Sequence, residues 1–251
     1  MCTLVLLRRP GHEWPLILGA NRDEMVNRPW QAPGRHWADR PNVVAGLDEL
    51  AGGSWFGVND EGVVAAILNR VGTLGPAAGK RSRGELVLDA LDHADAVAAA
   101  AALSDIDPDA YRPFNLLVAD NRDAFWLAHR GDGRIAMVRV TDGLHMLTAR
   151  ELDDPSSPRI RRYRERFKNA TPPDPTAGDW QAWQDLLSDT VPGDGEPVDS
   201  AMRFARPDGF ATVSSALLAL AAPGAEVRSI GRFARVAGQP SAWGPLGSPR
   251  L

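Results

Sequence analysis

Cys2 is the one cysteine among 251 residues, and it directly follows Met1. Removal of Met1 would leave a thiol and a free α-amine on the same residue. An α-amine titrates at about 7.7 to 8.0, so a useful fraction is unprotonated near neutrality and accepts the thiol proton. The nucleophile then carries its own base, the logic of N-terminal Thr and Cys nucleophiles. A lone cysteine is also compatible with inert packing as a small apolar residue, so its neighbours must decide.

Those neighbours follow from a hairpin. Thr3 to Arg9 reads as a strand, residues 10–14 (Pro-Gly-His-Glu-Trp) as a turn, and Pro15 to Ala20 as a second strand. If Arg9 lies near Pro15, facing residue numbers sum to about 24. Cys2 then lies across from Arg22, and Asn21-Arg22-Asp23-Glu24 arrives beside the thiol. An arginine there favours thiolate, and the Asp23 carboxylate is suited to hold the α-amine by a charge-assisted hydrogen bond. The alternative for the tetrapeptide is a solvated turn, which the same four residue types favour.

Met1-Cys2-Thr3 followed by Gly19-Ala20-Asn21-Arg22-Asp23-Glu24 resembles the NRDE family, whose animal members are called transport and Golgi organisation protein two. More distantly it resembles the N-terminal-nucleophile hydrolases that cleave bile-salt and penicillin amides, which share the Met-Cys-Thr start and a Gly-x-Asn-x-Asp segment. The resemblance implies that Cys2 is the nucleophile and that Asp23 positions it. A third segment, residues 57–70 (Gly-Val-Asn-Asp-Glu-Gly through Asn69 and Arg70), resembles the Asn-Glu-x-Gly turn, apolar strand and terminal Asn of those enzymes. This places an oxyanion-stabilising role on Asn69, whose amide would act as a preorganised donor; the alternative is an Asn that simply ends a strand. Asn21, Glu24, Trp55 and Arg70 flank these positions and are the expected substrate-binding residues. Two positions depart from the hydrolase pattern. Thr148-Ala149-Arg150 replaces an Asn-rich turn, and Val213 stands where those enzymes carry a late arginine, with Arg203, Arg206 or Arg232 as other sources of a cation.

The elements that must position these residues are mostly strands. Besides the hairpin, strands are expected near Val43–Ala45, Ser54–Val58, Val63–Leu68, Phe114–Ala119, Ala124–His129, Ile135–Val140, Leu144–Thr148, Ala211–Leu220 and Val227–Phe233. Several are apolar on both faces and need cover from two sides. Helices are expected at Arg83–Leu91, Asp95–Leu103, Pro158–Lys168 and Trp180–Asp189. Antiparallel strands of this kind with two helical pairs fit an α+β, four-layer αββα sandwich of two stacked sheets with helices outside, which the resemblance also implies. A two-layer α+β fold is the simpler alternative. Residues 1–251 read as a single domain, with an irregular Gly-, Pro- and Ser-rich tail from about residue 237.

Composition narrows the function. The net charge of -4 gives no reason to propose nucleic acid. The densest basic run, Arg159 to Lys168, follows a helix start at Ser156 to Pro158; it reads as a solvated helix face, with an anionic ligand or membrane surface as the alternative. No apolar segment approaches the length of a membrane span, the start lacks a secretory signal, and one cysteine allows no intrachain disulfide. A cytoplasmic protein is expected. The five histidines show no metal-ligand spacing, so no metal is expected. There is no Gly-x-Ser-x-Gly elbow. The Gly72–Gly84 segment lacks a phosphate-loop core and reads as a flexible loop able to border a pocket. Trp30, Trp37, Trp55 and Phe56, with Arg28, Arg35 and Arg40 between them, anchor either a core or a pocket for an apolar ligand bearing an anionic group.

The expectation is therefore an N-terminal cysteine nucleophile hydrolase acting on a non-peptide amide or acyl bond, with a small-molecule acyl or hydrophobic ligand and no cofactor. The alternative is a non-catalytic binding or trafficking protein on the same scaffold, with haem or lipid as the ligand that the resemblance implies. The acyl group and the oligomeric state are not specified by the residues.

Overall fold

A computed structural model describes residues 2–237 and 241–247. In chain order the strands are β1 (Thr3–Arg8), β2 (Leu16–Met25), β3 (Trp30–Gly34), β4 (Val43–Asp48), β5 (Phe56–Asn59) and β6 (Val64–Asn69). Helices α1 (Glu85–Leu91) and α2 (Ala96–Ser104) follow, then β7 (Phe114–Ala119), β8 (Ala124–His129), β9 (Ile135–Arg139) and β10 (Gly143–Leu147). Helices α3 (Pro158–Asn169) and α4 (Gln181–Ser188) precede β11 (Phe210–Leu220), β12 (Ser229–Arg235) and the two-residue β13 (Gly244–Pro245).

The strands form two antiparallel sheets. One has six strands in the order β10-β1-β2-β11-β12-β13, the other seven in the order β3-β4-β5-β6-β7-β8-β9. Strand alternation divides their side chains. Leu4, Leu6, Leu16, Leu18 and Leu218 point inward and meet Val44, Phe56, Val64, Leu117 and Trp126 of the other sheet. On the outer faces, α1 and α2 cover the seven-stranded sheet through residues such as Leu86, Leu91 and Leu103. Ile160, Tyr163 and Phe167 of α3 and Trp183 of α4 cover the six-stranded sheet. The expected four-layer αββα sandwich is the observed fold.

The first hairpin has the expected register, from Thr3 opposite Asn21 to Arg8 opposite Leu16. One difference matters for the site. β2 does not end at Ala20 but runs through Asn21-Arg22-Asp23-Glu24 to Met25, because β11 pairs with it along its whole length. Backbone pairing satisfies the main-chain groups of a polar segment that composition alone would assign to a turn. β3 also lacked a sequence signal: Pro33 and Gly34 interrupt its pattern, which an edge strand tolerates, and β3 is an edge of its sheet. In the expected irregular tail, Gly244 and Pro245 pair with β12 and Leu246 is buried; residues 238–240 and 248–251 lie outside the described residues. Among the described residues no helix is long and apolar enough to cross a membrane.

Candidate active site

The hairpin register carries Cys2 to the top of β1, one step beyond the Thr3–Asn21 pair. Alternation turns Cys2 inward with Leu4, into a narrow cleft between the sheets. Cys2, Arg22, Trp55, Phe56, Leu68 and Ser214 are among its lining residues. The Asp23 backbone N–H donates to Cys2 Sγ at 3.4 Å, and the thiol faces the Asp23 carbonyl oxygen at 3.6 Å. The tetrapeptide thus lies beside the thiol. Its effect on the thiol differs from the expected one, however: burial pushes the Cys2 thiol above its ordinary value, the Asp23 charge adds to this, and the opposing pull of Arg22 is smaller. Desolvation disfavours the charged form, so the resting sulfur holds its proton.

Asp23 and Asn21 have the opposite parity from Arg22 and point toward α3 and α4. The Asp23 carboxylate accepts from Arg159 Nη1 at 2.7 Å and from Thr212 Oγ1 at 2.8 Å. Arg159 is 3% exposed and also donates to Thr3 Oγ1 and to the Ala201 carbonyl, each at 2.8 Å. This corrects the reading of α3 as a solvated basic face: its first arginine is buried, its side chain reaching Thr3 of β1 and Asp23 of β2 from the helix start. The cation beside Asp23 is also none of Arg203, Arg206 or Arg232. Three other arginines of α3 form ion pairs, Arg161 with Glu196, Arg164 with Asp153 and Arg166 with Asp189.

Thr212 reaches Asp23 through a β-bulge. Ser214 pairs with Arg22 and Thr212 with Asp23, leaving Val213 as the extra residue. Without the bulge an apolar Val213 would face the carboxylate. Bulges re-aim side chains in this way, and here one brings a hydroxyl to a buried charge that needs a donor.

On the inner face, the Arg22 guanidinium lies over Trp55 at 3.8 Å from the ring centroid and 5.7 Å from that of Trp30. Its Nη2 is 3.7 Å from Asp48 Oδ2, which also accepts from Arg28 Nε at 2.8 Å. Trp30 and Trp55 meet edge to face at 5.6 Å. Of the expected aromatic cluster, Trp30 and Trp55 therefore serve the inner face. Trp37 packs with the outer core of the seven-stranded sheet.

The other expected site residues divide. Trp55 lines the cleft. Asn21 touches it, but its amide donates to the Leu187 and Met202 carbonyls and its oxygen accepts from Ser215, so both amide protons are already used in the fold. Glu24 is half-buried beside Arg28 at 3.8 Å and accepts from the Met25 backbone N–H. Asn69 is not among the cleft's lining residues. It pairs with Phe114 at the end of β6, one residue beyond Leu68, which does line the cleft. Arg70 is inward but engaged by Asn115 at 2.6 Å and Glu151 at 2.5 Å, in a separate recess with Arg130 and Arg150. The loop before α1 is tied down by Arg83, which donates to Thr73 and to the Pro113 carbonyl; burial and the neighbouring Arg112 lower Arg83 to about 10. Among the described residues no group of three or more His, Cys, Asp or Glu side chains is placed to hold a metal ion.

Two solved structures share this architecture. The N-acylethanolamine-hydrolyzing acid amidase ortholog of Caenorhabditis elegans superposes with a TM-score of 0.58 at 14% identity, covering 91% of this chain and 98% of that one. The C2A mutant of the conjugated bile acid hydrolase from Clostridium perfringens superposes with a TM-score of 0.54 at 11% identity, covering 98% and 92%. These likenesses establish the fold. In sequence, the Transport and Golgi organization protein 2 homolog of Bos taurus is 37% identical over 117 residues, 42% of this chain and 38% of that protein. The Homo sapiens homolog is 35% identical over the same length and shares. The matched region is thus well under half of either relative. Residues 1–207 match the family model described as Transport and Golgi organisation 2, and the chain belongs to that family.

Proposed function

We propose that this protein is an N-terminal-nucleophile hydrolase of a non-peptide amide or related acyl bond, with Cys2 as nucleophile. The observation that carries this reading is the placement of Cys2 in the inter-sheet cleft, in contact with the Asp23 backbone and beside Arg22. After removal of Met1, the α-amine of Cys2 takes the thiol proton as sulfur attacks the substrate carbonyl carbon. The carbonyl electron pair moves to oxygen. Collapse of the tetrahedral species expels the amine, which receives the proton from the α-ammonium, and leaves an S-acyl cysteine that water hydrolyses. A protonated resting thiol suits this relay, since the proton is moved at the moment of attack. Asp23, fixed by Arg159 and Thr212, holds β2 and the terminus in register. The two structural neighbours, named as an acid amidase and a bile acid hydrolase, agree with an amide-cleaving scaffold.

A carrier role is favoured by one observation, the apolar lining that Leu4, Phe56, Ala66, Leu68 and Ala216 give the cleft. It suits an acyl chain equally as cargo or as substrate. Haem fits less well: among the described residues the lining contains no histidine or methionine, and burial opposes ionisation of the only thiol.

Intact mass and thiol labelling test the proposal. The expected result is a mass lacking Met1, one carbamidomethyl adduct from iodoacetamide on the folded wild type and none on Cys2→Ala. Retained Met1, or a Cys2 that no electrophile modifies without denaturant, ends the mechanism. Lipid binding that survives Cys2→Ala without turnover of any acyl substrate assigns the scaffold to carriage instead.

A further inference from the structure

The cleft needs a donor for the oxygen that becomes negative when Cys2 attacks, and Asn69 is not among its lining residues. Arg22 has the required properties. It is 5% exposed and lines the cleft with Cys2. One step beyond the Thr3–Asn21 pair, Cys2 falls across from Arg22 on the same face, and directly opposed residues of a sheet have Cβ atoms about 4.5–5.5 Å apart. The indole of Trp55 beneath the guanidinium, 3.8 Å from centroid to Cζ, fixes its plane. Nη2 takes the Asp48 side at 3.7 Å, and Asp48 is shared with Arg28. Nη1 is buried and has no hydrogen-bond partner among the described residues. A buried donor left unmade costs free energy, and an incoming anion would recover it.

We infer that Arg22 is the oxyanion-stabilising residue of this site, its Nη1 edge donating to the carbonyl oxygen of an acyl group under attack by Cys2. The inference rests on the reading of Cys2 as nucleophile. It assigns Arg22 a role distinct from tuning the thiol: the guanidinium is held by stacking and one weak ion pair, so it needs little reorganisation as charge develops. Preorganised donors of this kind stabilise transition states more than ground states.

Two reactions of the same sulfur separate the roles. Acylation by p-nitrophenyl acetate passes through a tetrahedral oxyanion, in which sulfur bonds to the carbonyl carbon before p-nitrophenolate leaves. Alkylation by iodoacetamide displaces iodide at an sp³ carbon and forms no oxyanion. Rates of both are followed across pH in wild type, Arg22→Gln and Arg22→Lys, and the pH-independent limits are compared so that changes in thiol ionisation cancel. Arg22→Gln is expected to lower acylation by about 10²–10³-fold with a far smaller effect on alkylation. Arg22→Lys, which keeps the charge but loses the planar fork, is expected to show the same selectivity with a smaller loss, and it serves alone if Arg22→Gln does not fold. Equal loss in both reactions, or loss in neither, overturns the assignment of Arg22 while leaving Cys2 as nucleophile. A wild-type Cys2 inert to both reagents overturns the nucleophile reading and this inference with it.

Discussion

The Cys2 sulfur and the Asp23 carboxylate belong to residues in direct contact, yet they occupy opposite faces of one sheet. Sγ receives the Asp23 backbone N–H at 3.4 Å, while Oδ2 accepts from Arg159 Nη1 at 2.7 Å beneath α3. Asp23 therefore reaches the thiol through the backbone of β2 and through its charge. The buried Arg159 pair sets the position of that backbone.

Removing the cation should be costly. Arg159→Met takes a buried cation away from the Asp23 carboxylate, a loss of about 3–5 kcal/mol, read as a fall in the urea midpoint at unchanged slope. Asp23→Asn combined with Arg159→Met should recover part of it. Arg161→Ala, which removes an exposed pair with Glu196 from the same helix, should change stability by no more than about 1 kcal/mol.

The bulge makes a separate demand. Thr212→Val removes the hydroxyl that donates to Asp23 Oδ1 at 2.8 Å, and hydrogen bonds to charged groups contribute about 1.5–3 kcal/mol. Thr212→Ser keeps the donor and should lose less than half as much. If the methyl group rather than the hydroxyl matters at this site, denaturation of the two variants side by side would give the reverse order, with Thr212→Ser the less stable.

Thiol reactivity gives the pH dependence. Burial and the Asp23 charge raise Cys2, so the iodoacetamide rate should climb with a midpoint above the ordinary thiol value of about 8.5. Asp23→Asn removes a negative neighbour and should move the midpoint down. Since the folded thiol holds its proton more tightly than the unfolded one, stability should decline as pH rises through the unfolded value. A wild-type midpoint below the ordinary value would mean that Arg22, rather than burial, dominates at the sulfur.

Gly46 tests the platform under Arg22. A Cβ at this position would come within 2.3 Å of Trp55 Cζ2 and Cη2, so Gly46→Ala forces the indole to shift. The expected cost is about 1–3 kcal/mol, with a changed tryptophan emission spectrum and slower acylation of Cys2. An unchanged spectrum would mean that the indole does not lie against β4.

The hairpin register, the sandwich and the contact between Cys2 and the tetrapeptide were legible in the residues themselves. Their signals are local: apolar runs with a period of two, one Pro-Gly turn, and helices marked by their own periodicity. Arg22 and Trp55 were visible as candidates for the same reason, since register alone places Arg22 across from the thiol. The edge strand β3 was not legible, because Pro33 and Gly34 break its pattern and only pairing with β4 restores it.

What only the tertiary structure decided is which face each polar residue serves. Arg159 was expected in solvent and is buried against Asp23 instead, and Asn69, expected at the oxyanion, ends β6 paired with Phe114 and is not among the residues lining the cleft. Neither event leaves a mark in nearby sequence. Residue type records which groups can carry charge or donate a hydrogen bond, and local pattern records which strand they ride on. Whether a given side chain meets the cleft or a helix depends on register with strands distant in the chain, and a single bulged residue, Val213, is enough to change it.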